Sequence, residues 1–197
     1  MPGVEIGDYT IVGANQLLVR VNNLTSVYGS SQPYVLASVQ YYNGSQVIRL
    51  DDGSVPRSSV TINSTNQVVV NDGANGLASL TLSPVAGSFS GAGKLAVGAW
   101  QLGTSGAVSS NSQNFGNTVT VVGNHQVTPK AVTASATGVN KVYDGLQAVT
   151  QGAIALAGIE SGDVLGASGT GQYDTRNVGT GLNYRFVNVG LSGADAG

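Results

Sequence analysis

The chain lacks cysteine and is poor in charge, and both features narrow its chemistry. With no cysteine among 197 residues, neither disulfide bonds nor thiolate metal sites can form. Charged residues make up 9% of the chain, against roughly 25% in an average soluble domain. The net charge is −2 and the 8 lysines and arginines are scattered. Because no basic patch is available to neutralise phosphates, we expect no nucleic-acid partner.

Long hydrophobic runs are missing as well. No stretch approaches the roughly 18 apolar residues of a transmembrane helix, so we expect no membrane insertion. The first residues, MPGVEIGDY, have neither the positive start nor the apolar core of a signal peptide. Met1 is therefore expected to be either a cytosolic start or the first residue of a fragment.

What the chain does contain is hydrophobic alternation with a period of two. In QLLVRVN, the side chains of Leu17, Val19 and Val21 share one face. In NTVTVVGN, Val119 and Val121 do the same. This pattern is typical of β-strands with one buried side and one side facing solvent.

Turn-forming stretches separate the alternating segments. They read YNGS, DDGS, NDGANG and SGAGK, and Asn-Gly and Asp-Gly pairs favour the positive φ angles of tight turns. The best helical window, residues 146–163, is interrupted by Gly152 and Gly158, each of which costs about 1 kcal/mol relative to alanine. We therefore predict an all-β or mostly β chain with two small modules arranged head to tail. Both a β-grasp-like module and an Ig-like sandwich fit this pattern.

A short phrase occurs twice, as SVYG at Ser26–Gly29 (hook 1) and as KVYDG at Lys141–Gly145 (hook 2). Each follows alternating segments and a Gly-Asn turn, and the spacing of about 110 residues indicates a repeated module. We predict that the hook tyrosines bury their rings and reach a backbone partner with their hydroxyls. The hook glycines are expected to permit the turn that follows. The residues assigned to this structural role are Tyr28, Gly29, Tyr143, Asp144 and Gly145.

Several motifs together carry a family resemblance. VNKVYDG, SGD at residues 161–163, RNVGTG at 176–181 and LSGADAG at 191–197 resemble the YDG-type repeat. That repeat occurs in large bacterial surface adhesins, including filamentous-haemagglutinin-like proteins exported by two-partner secretion. VYGSSQP at residues 27–33 resembles the companion MBG-type repeat, and residues 122–136 resemble the seam between such repeats. Residues 44–113 match the pattern poorly.

The resemblance implies a domain organisation. Residues 1–15 are expected to be the closing strand of a preceding repeat, and residues 16–127 an MBG-like module with a possible insertion at 44–113. Residues 128–197 are expected to be a YDG-like module without its last strand. The chain is thus expected to be a fragment of a longer tandem array. An open sheet edge left by the missing strand could pair with a second copy.

The resemblance also implies a function without catalysis. It indicates a stalk or spacer that acts in cell adhesion and biofilm attachment, at the bacterial cell surface or outside the cell. The expected partners are neighbouring repeats of the parent chain.

The residues themselves argue against an enzyme or a metal site. His125 is the only histidine and no Gly-x-Ser-x-Gly elbow is present, so we expect an exposed turn histidine. Metal binding would require a further nitrogen or sulfur ligand beside it. Asp51, Asp52 and Asp72 stand alone in their loops, which favours ordinary turn chemistry over calcium binding, although distant carboxylates could still converge. We expect no catalytic residues and no cofactor.

An alternative function is binding of glycan or exopolysaccharide in the extracellular matrix. Tyr34 and Tyr42 lie close in sequence, and Trp100 could join them in space, since exposed aromatic rings stack on sugar rings. The competing interpretation is that alternation buries Tyr41 and exposes Tyr42, which leaves no platform.

Three glycosylation sequons begin at Asn23, Asn43 and Asn63. About three are expected by chance in a chain this rich in asparagine, serine and threonine. Glycosylation of these asparagines is kept as a hypothesis.

Overall fold

The protein is described by a computed structural model that covers residues 12–136, 139–149 and 154–196. Within these ranges the chain forms β-strands and turns and no helix, which confirms the predicted all-β class. Accordingly, no described segment is a helix that could span a membrane. The strands are β1 (Leu17–Val21), β2 (Leu24–Val27), β3 (Leu36–Tyr42), β4 (Val47–Arg49), β5 (Ser58–Ile62), β6 (Gln67–Asp72), β7 (Leu77–Pro84), β8 (Gly98–Ser110), β9 (Val119–Val122), β10 (Asn124–Thr128), β11 (Thr133–Ala136), β12 (Ala148–Val149), β13 (Ile154–Ala157), β14 (Gly166–Tyr173) and β15 (Tyr184–Ser192).

The chain divides into two compact units that are discontinuous in sequence. Unit 1 comprises Met1–Ser26, Ser30–Gly87 and Gly98–Thr128, and unit 2 comprises Val27–Gly29, Ser88–Val97 and Pro129–Gly197. The predicted repeat boundaries, including the closing strand at 1–15, stay predictions. Most of that strand lies outside the described residues.

Unit 1 is a β-sandwich of two sheets around one core. The first sheet has the order β4-β3-β1-β9 and the second the order β2-β10-β8-β7-β6-β5. The apolar residues predicted by alternation face inward, and Leu17, Val19 and Val39 are fully buried. Side chains of both sheets share the core, whose buried members are Leu17, Val19, Val21, Tyr34, Val39, Tyr41, Leu50, Val68, Val70, Ala78, Leu80, Leu82, Leu102 and Phe115.

Strand β1 has two different neighbours. It runs antiparallel to β3, with Leu17 opposite Tyr41, and parallel to β9, with Leu17 opposite Val119 and Arg20 opposite Val122. The first described strand of the unit is thus paired side by side with a strand that follows about 100 residues later, and β9 forms one edge of the described sheet.

The two paired strands change sheet at neighbouring points. After Val21 the chain passes into β2, and after Val122 it passes into β10, both in the second sheet. Gly123 lies at the second crossing, where an added Cβ would be 2.9 Å from the Cβ and carbonyl oxygen of Val21. Such a close approach requires glycine.

Residues 44–113 supply strands of both sheets. Strand β4 pairs with β3, and β5 to β8 form most of the second sheet. Each of the four predicted turns in this part of the chain has one glycine with a positive φ, namely Gly44, Gly53, Gly73 and Gly93, at angles of 72° to 94°, which confirms the turn prediction.

Unit 2 contains two small antiparallel sheets, β11-β13 and β12-β14-β15. Tyr173, Tyr184 and Phe186 pack as an aromatic row, with successive ring centroids 5.4 Å apart. The Tyr184 ring covers Gly171, where any Cβ would overlap the tyrosine hydroxyl. Strand β15 is an edge strand in the described sheet, and the predicted self-association through an open edge stays a prediction.

Candidate functional site

Hook 1 binds an acidic turn in unit 2. Tyr28 is half-buried, and its hydroxyl donates a hydrogen bond of 2.6 Å to the Asp163 Oδ2. The Ser90 hydroxyl donates to the other carboxylate oxygen at 2.9 Å. Burial and the Asp163 carboxylate raise the pKa of Tyr28, so the phenol remains a proton donor at neutral pH. The predicted backbone partner of this hydroxyl is therefore wrong, and the partner is a carboxylate that lies 135 residues away in sequence.

The glycine of hook 1 contributes in two ways. Gly29 has a φ of 82°, which favours glycine, and a Cβ at this position would overlap the carboxyl group of Glu160. Glu160 is in turn held by an ion pair with Lys130. We call Glu160–Asp163 the acidic turn, since it is closed by a hydrogen bond from the Asp163 N–H to the Glu160 carbonyl oxygen at 3.1 Å.

A cavity of about 350 Å³ surrounds hook 1 within unit 2. Its two aspartates are both engaged: Asp163 by hook 1, and Asp195 by the N–H groups of Gly91 and Val164 at 3.2 and 2.8 Å. No group of three metal-binding side chains occurs in the part of the chain that the structure describes. In this arrangement the acidic turn binds the phenol of Tyr28 and lies against Gly29.

Hook 2 shares valine, tyrosine and glycine with hook 1, but its tyrosine lies in a different environment. Tyr143 is 66% exposed and Val142 is 89% exposed, so the predicted burial of the Tyr143 ring is wrong. The anchoring role belongs to Tyr173, whose hydroxyl donates to the carbonyl oxygen of Val139 just before the hook. Tyr173 lies on β14 and joins the aromatic row, whereas hook 2 lies outside the strands.

The additional aspartate of hook 2 closes the turn internally. The Asp144 carboxylate pairs with the Lys141 ammonium at 2.7 Å and accepts the N–H of Leu146 at 2.8 Å. Lys141 and that N–H lower the pKa of Asp144. Gly145 has a φ of 75°, and a Cβ there would meet nothing within 4 Å. The turn therefore forms as expected, but no other side chain covers it.

A cleft of about 420 Å³ lies beside hook 2, between residues 139–146 and 173–184. Its rim carries exposed apolar side chains, namely Val142, Tyr143, Leu146 and Val178. The guanidinium of Arg176 also lines the cleft, and among the described residues Arg176 forms no ion pair.

His125 is not the exposed turn residue that the sequence predicts. It lies on β10, with Nε2 2.8 Å from the Ser26 Oγ and Nδ1 3.1 Å from the Tyr34 hydroxyl. Ser26 and Tyr34 are 4% and 6% exposed. One ring nitrogen donates and the other accepts, and the third partner is a phenol instead of the carboxylate of a Ser-His-Asp relay. The cluster connects a serine on β2 to the segment before β3.

The His125 cluster predicts a pH dependence of stability. Burial lowers the pKa of His125 below the value of about 6.5 in an unfolded chain. The unfolded state then binds the proton at a higher pH, so stability decreases as the pH falls below about 6.5 and down through the folded pKa. Urea titrations between pH 7.5 and 5 should show this decrease. The slope should vanish in His125→Gln, and an identical slope in that variant would assign the effect to other groups.

Two of the three residues of the hypothetical glycan platform lie beside His125, and the third lies in the other sheet. Tyr34 is buried against His125, and Trp100 on β8 stands opposite His125 in the strand pairing. Tyr42 lies on β3 in the other sheet, and its hydroxyl donates to the Gly44 carbonyl oxygen at 2.8 Å. A glycan site at these residues stays a prediction that the geometry does not favour.

The three sequon asparagines are exposed, and the side-chain oxygen of each accepts hydrogen bonds. The Asn43 side-chain oxygen accepts the N–H groups of Ser45 and Gln46, both at 2.9 Å. The Asn63 oxygen accepts the Thr65 hydroxyl at 2.8 Å, and the Asn23 oxygen accepts the N–H of Asn124 at 3.0 Å. Glycosylation of these asparagines stays a prediction.

Two of the predicted turn aspartates have local partners. Asp51 pairs with Arg49 at 3.0 Å and accepts the N–H of Val39 at 2.9 Å. Asp52 accepts the N–H of Ser54 at 2.9 Å.

Asp72 has a larger role than the sequence indicates. It is 4% exposed and accepts hydrogen bonds from the N–H groups of Ala74 and Gly76, the Ser112 hydroxyl and the Asn114 amide at 2.7, 2.8, 2.5 and 3.1 Å. Burial opposes its ionisation, but these donors outweigh burial and lower the pKa of Asp72. From the sequence alone, only the partners of Asp72 within its own loop could be predicted, and not Ser112 and Asn114.

Comparison with protein families identifies one part of the chain. Residues 128–197 match the model of the YDG domain, so the all-β chain contains a YDG domain over this range. The match agrees with the predicted YDG type. Searches of curated proteins and of solved structures returned no significant match.

Proposed function

We propose that the chain is a structural spacer of a secreted bacterial adhesin, which resists tension during attachment of a cell or biofilm. The observation that carries this proposal is the parallel pairing of β1 with β9 in unit 1. Among the described residues, β1 is the first strand of the sandwich, and only β10 follows β9 before the chain continues into unit 2 at Pro129.

The parallel pairing of β1 and β9 determines how unit 1 responds to a pulling force. Tension before Leu17 and beyond Val122 pulls the two strands along their length in opposite directions. All four residue pairs, from Leu17–Val119 to Arg20–Val122, are then loaded together in shear. Strands loaded from the same end of a pair instead separate one hydrogen bond at a time. The pairing therefore acts as a mechanical clamp.

The YDG domain supports the same proposal. Its match at residues 128–197 agrees with a repeat in a surface adhesin, with neighbouring repeats of the parent chain as partners. Recognition of one module by another requires little charge, which agrees with the 9% of charged residues. We place the protein at the cell surface or outside the cell.

Single-molecule force spectroscopy tests the clamp, and the absence of native cysteine allows attachment through single introduced thiols. In the first geometry the chain is pulled between its termini. In the second it is pulled between the N-terminus and Asn117→Cys, which is exposed and precedes β9. We expect unit 1 to unfold at a force several-fold higher in the first geometry, because only there are the paired strands sheared.

The same substitution provides the control. Asn117→Cys pulled between its termini should reproduce the high force of the unmodified chain. Equal forces in both geometries would show that the β1–β9 pairing does not resist tension, and the proposed spacer role would lose its main support.

A further inference from the structure

The two hooks of the chain share their residue types but differ in what covers them. Tyr28 in hook 1 bonds Asp163, and Gly29 lies against Glu160. Tyr143 in hook 2 is 66% exposed, and its hydroxyl forms no hydrogen bond to any described residue. The Tyr-Gly pair of hook 1 is thus covered by an acidic turn, whereas the tyrosine of hook 2 is exposed to solvent.

We propose that hook 2 is a docking site for the acidic turn of another YDG-type domain, such as a second copy of residues 128–197. The Tyr143 hydroxyl would donate to the aspartate equivalent to Asp163, and Gly145 would lie against the glutamate equivalent to Glu160. This inference deepens the proposed spacer function, because it supplies a contact that joins successive repeats.

The shape of hook 2 permits this docking. A Cβ at Gly145 would meet nothing within 4 Å, so a glutamate side chain has room to lie on the glycine as Glu160 lies on Gly29. The additional Asp144 does not obstruct the site, since it is drawn back to Lys141 at 2.7 Å. Tyrosine and glycine therefore remain available at the exposed surface of the turn.

The charges are complementary as well. The glutamate of the acidic turn is paired with Lys130 of the same domain, so a docking copy brings that ion pair with it. Beside hook 2, the exposed residue Arg176 lines the cleft and has no ion-pair partner among the described residues. Arg176 would add a positive charge next to the carboxylates of the docked acidic turn. The exposed side chains of Val142 and Val178 would be covered in the same contact, as exposed apolar patches of interaction sites commonly are.

Disulfide trapping tests the proposal in the full chain, which has no cysteine of its own. The donor carries Val142→Cys, next to Tyr143. The acceptor carries Ser161→Cys in the acidic turn, together with Tyr28→Ala and Gly29→Val, which release hook 1 so that the turn is open. We expect a donor–acceptor disulfide to form several-fold faster than with a matched donor that carries Val47→Cys. Val47 is 60% exposed and lies on β4, so that donor reports random collisions.

Two further variants separate docking from non-specific association. Tyr143→Ala in the donor, or Asp163→Ala in the acceptor, should reduce the rate to that of the Val47→Cys donor. A rate equal to that control, or one that neither substitution lowers, would overturn the proposal and leave hook 2 as a solvent-exposed turn or a site for a different partner. If the far-UV circular dichroism spectrum shows that this acceptor is unfolded, a second acceptor that carries Tyr28→Phe and Ser161→Cys is used instead. The same faster disulfide formation is expected with it. The clamp lies in unit 1, so the force measurement and the disulfide trapping are independent tests. Trapping can fail while the clamp resists force, and the clamp can fail while hook 2 docks.

Discussion

Replacing Asp72 by alanine is expected to lower the free energy of unfolding by about 3 kcal/mol or more, since each buried donor left without a partner costs roughly 1–3 kcal/mol. The carboxylate is almost fully buried and satisfies two backbone N–H groups as well as the side chains of Ser112 and Asn114. Alanine removes the acceptor of all four bonds at once. Urea denaturation at neutral pH, followed by tryptophan fluorescence or circular dichroism, measures the loss.

The matched control for this prediction is Asp52→Ala. Asp52 is exposed and has local partners, the N–H of Ser54 and the exposed guanidinium of Arg49 at 4.0 Å. Its replacement should therefore change stability by less than about 0.5 kcal/mol, as usual for surface substitutions. Equal effects of the two substitutions would mean that the Asp72 network does not stabilise the sandwich.

The pH dependence of the Asp72 effect follows from its lowered pKa. An unfolded aspartate titrates near 3.9, whereas folded Asp72 keeps its charge to a lower pH. Its contribution is therefore complete above about pH 5 and is lost as the pH falls through the unfolded and then the folded pKa. The difference in stability between the native chain and Asp72→Asn should accordingly be smaller in acid than at pH 7.

Replacing Phe115 by alanine is expected to destabilise the chain by about 3–5 kcal/mol, the usual cost of truncating a buried phenylalanine. Phe115 is 2% exposed and lies in the core against Tyr41, with ring centroids 5.4 Å apart. It belongs to the connection between β8 and β9, and its carbonyl oxygen accepts the Ser110 hydroxyl at 3.1 Å. The Phe115 ring is therefore part of the core of unit 1.

Phe89→Ala is the control for this truncation, because the ring of Phe89 is 56% exposed. Its loss should cost well under half as much, since an exposed ring leaves no cavity behind. Thermal and urea unfolding of both variants gives the comparison. A cost for Phe115→Ala below about 1 kcal/mol would contradict the prediction, because it would require the core to collapse fully around the gap.

Much of the fold follows from local sequence patterns. Alternation places Leu17, Val19 and Val21 on the buried face of β1, because the side-chain period of a strand is two residues. The Asn-Gly and Asp-Gly pairs mark the turns, because their backbone requires positive φ. The same local reasoning predicts a buried Tyr41 and an exposed Tyr42; Tyr41 is buried as predicted, whereas Tyr42 is half-buried.

The surroundings of individual polar residues could not be predicted from local sequence patterns. His125 is half-buried and is bound by partners 99 and 91 residues away, whereas its own stretch of sequence, GNHQ, favours a turn. Tyr143 was expected to be buried like a hook anchor, but β14 supplies Tyr173 for that position. Contacts across such separations depend on strand order, and alternation within single segments carries no information on strand order.

Unit 2 is assembled from three separate stretches of chain, and this has a consequence for its biosynthesis. Tyr28 leaves the ribosome 135 residues before its partner Asp163, which corresponds to a delay on the order of ten seconds at usual rates of translation. During that time hook 1 has no acidic turn to bind. A YDG domain cut at residue 128, as the family boundary suggests, would likewise lack both hydroxyl groups that hold Asp163, from Tyr28 and Ser90. The compact unit of the structure and the range that the family model matches are therefore two different pieces of polypeptide.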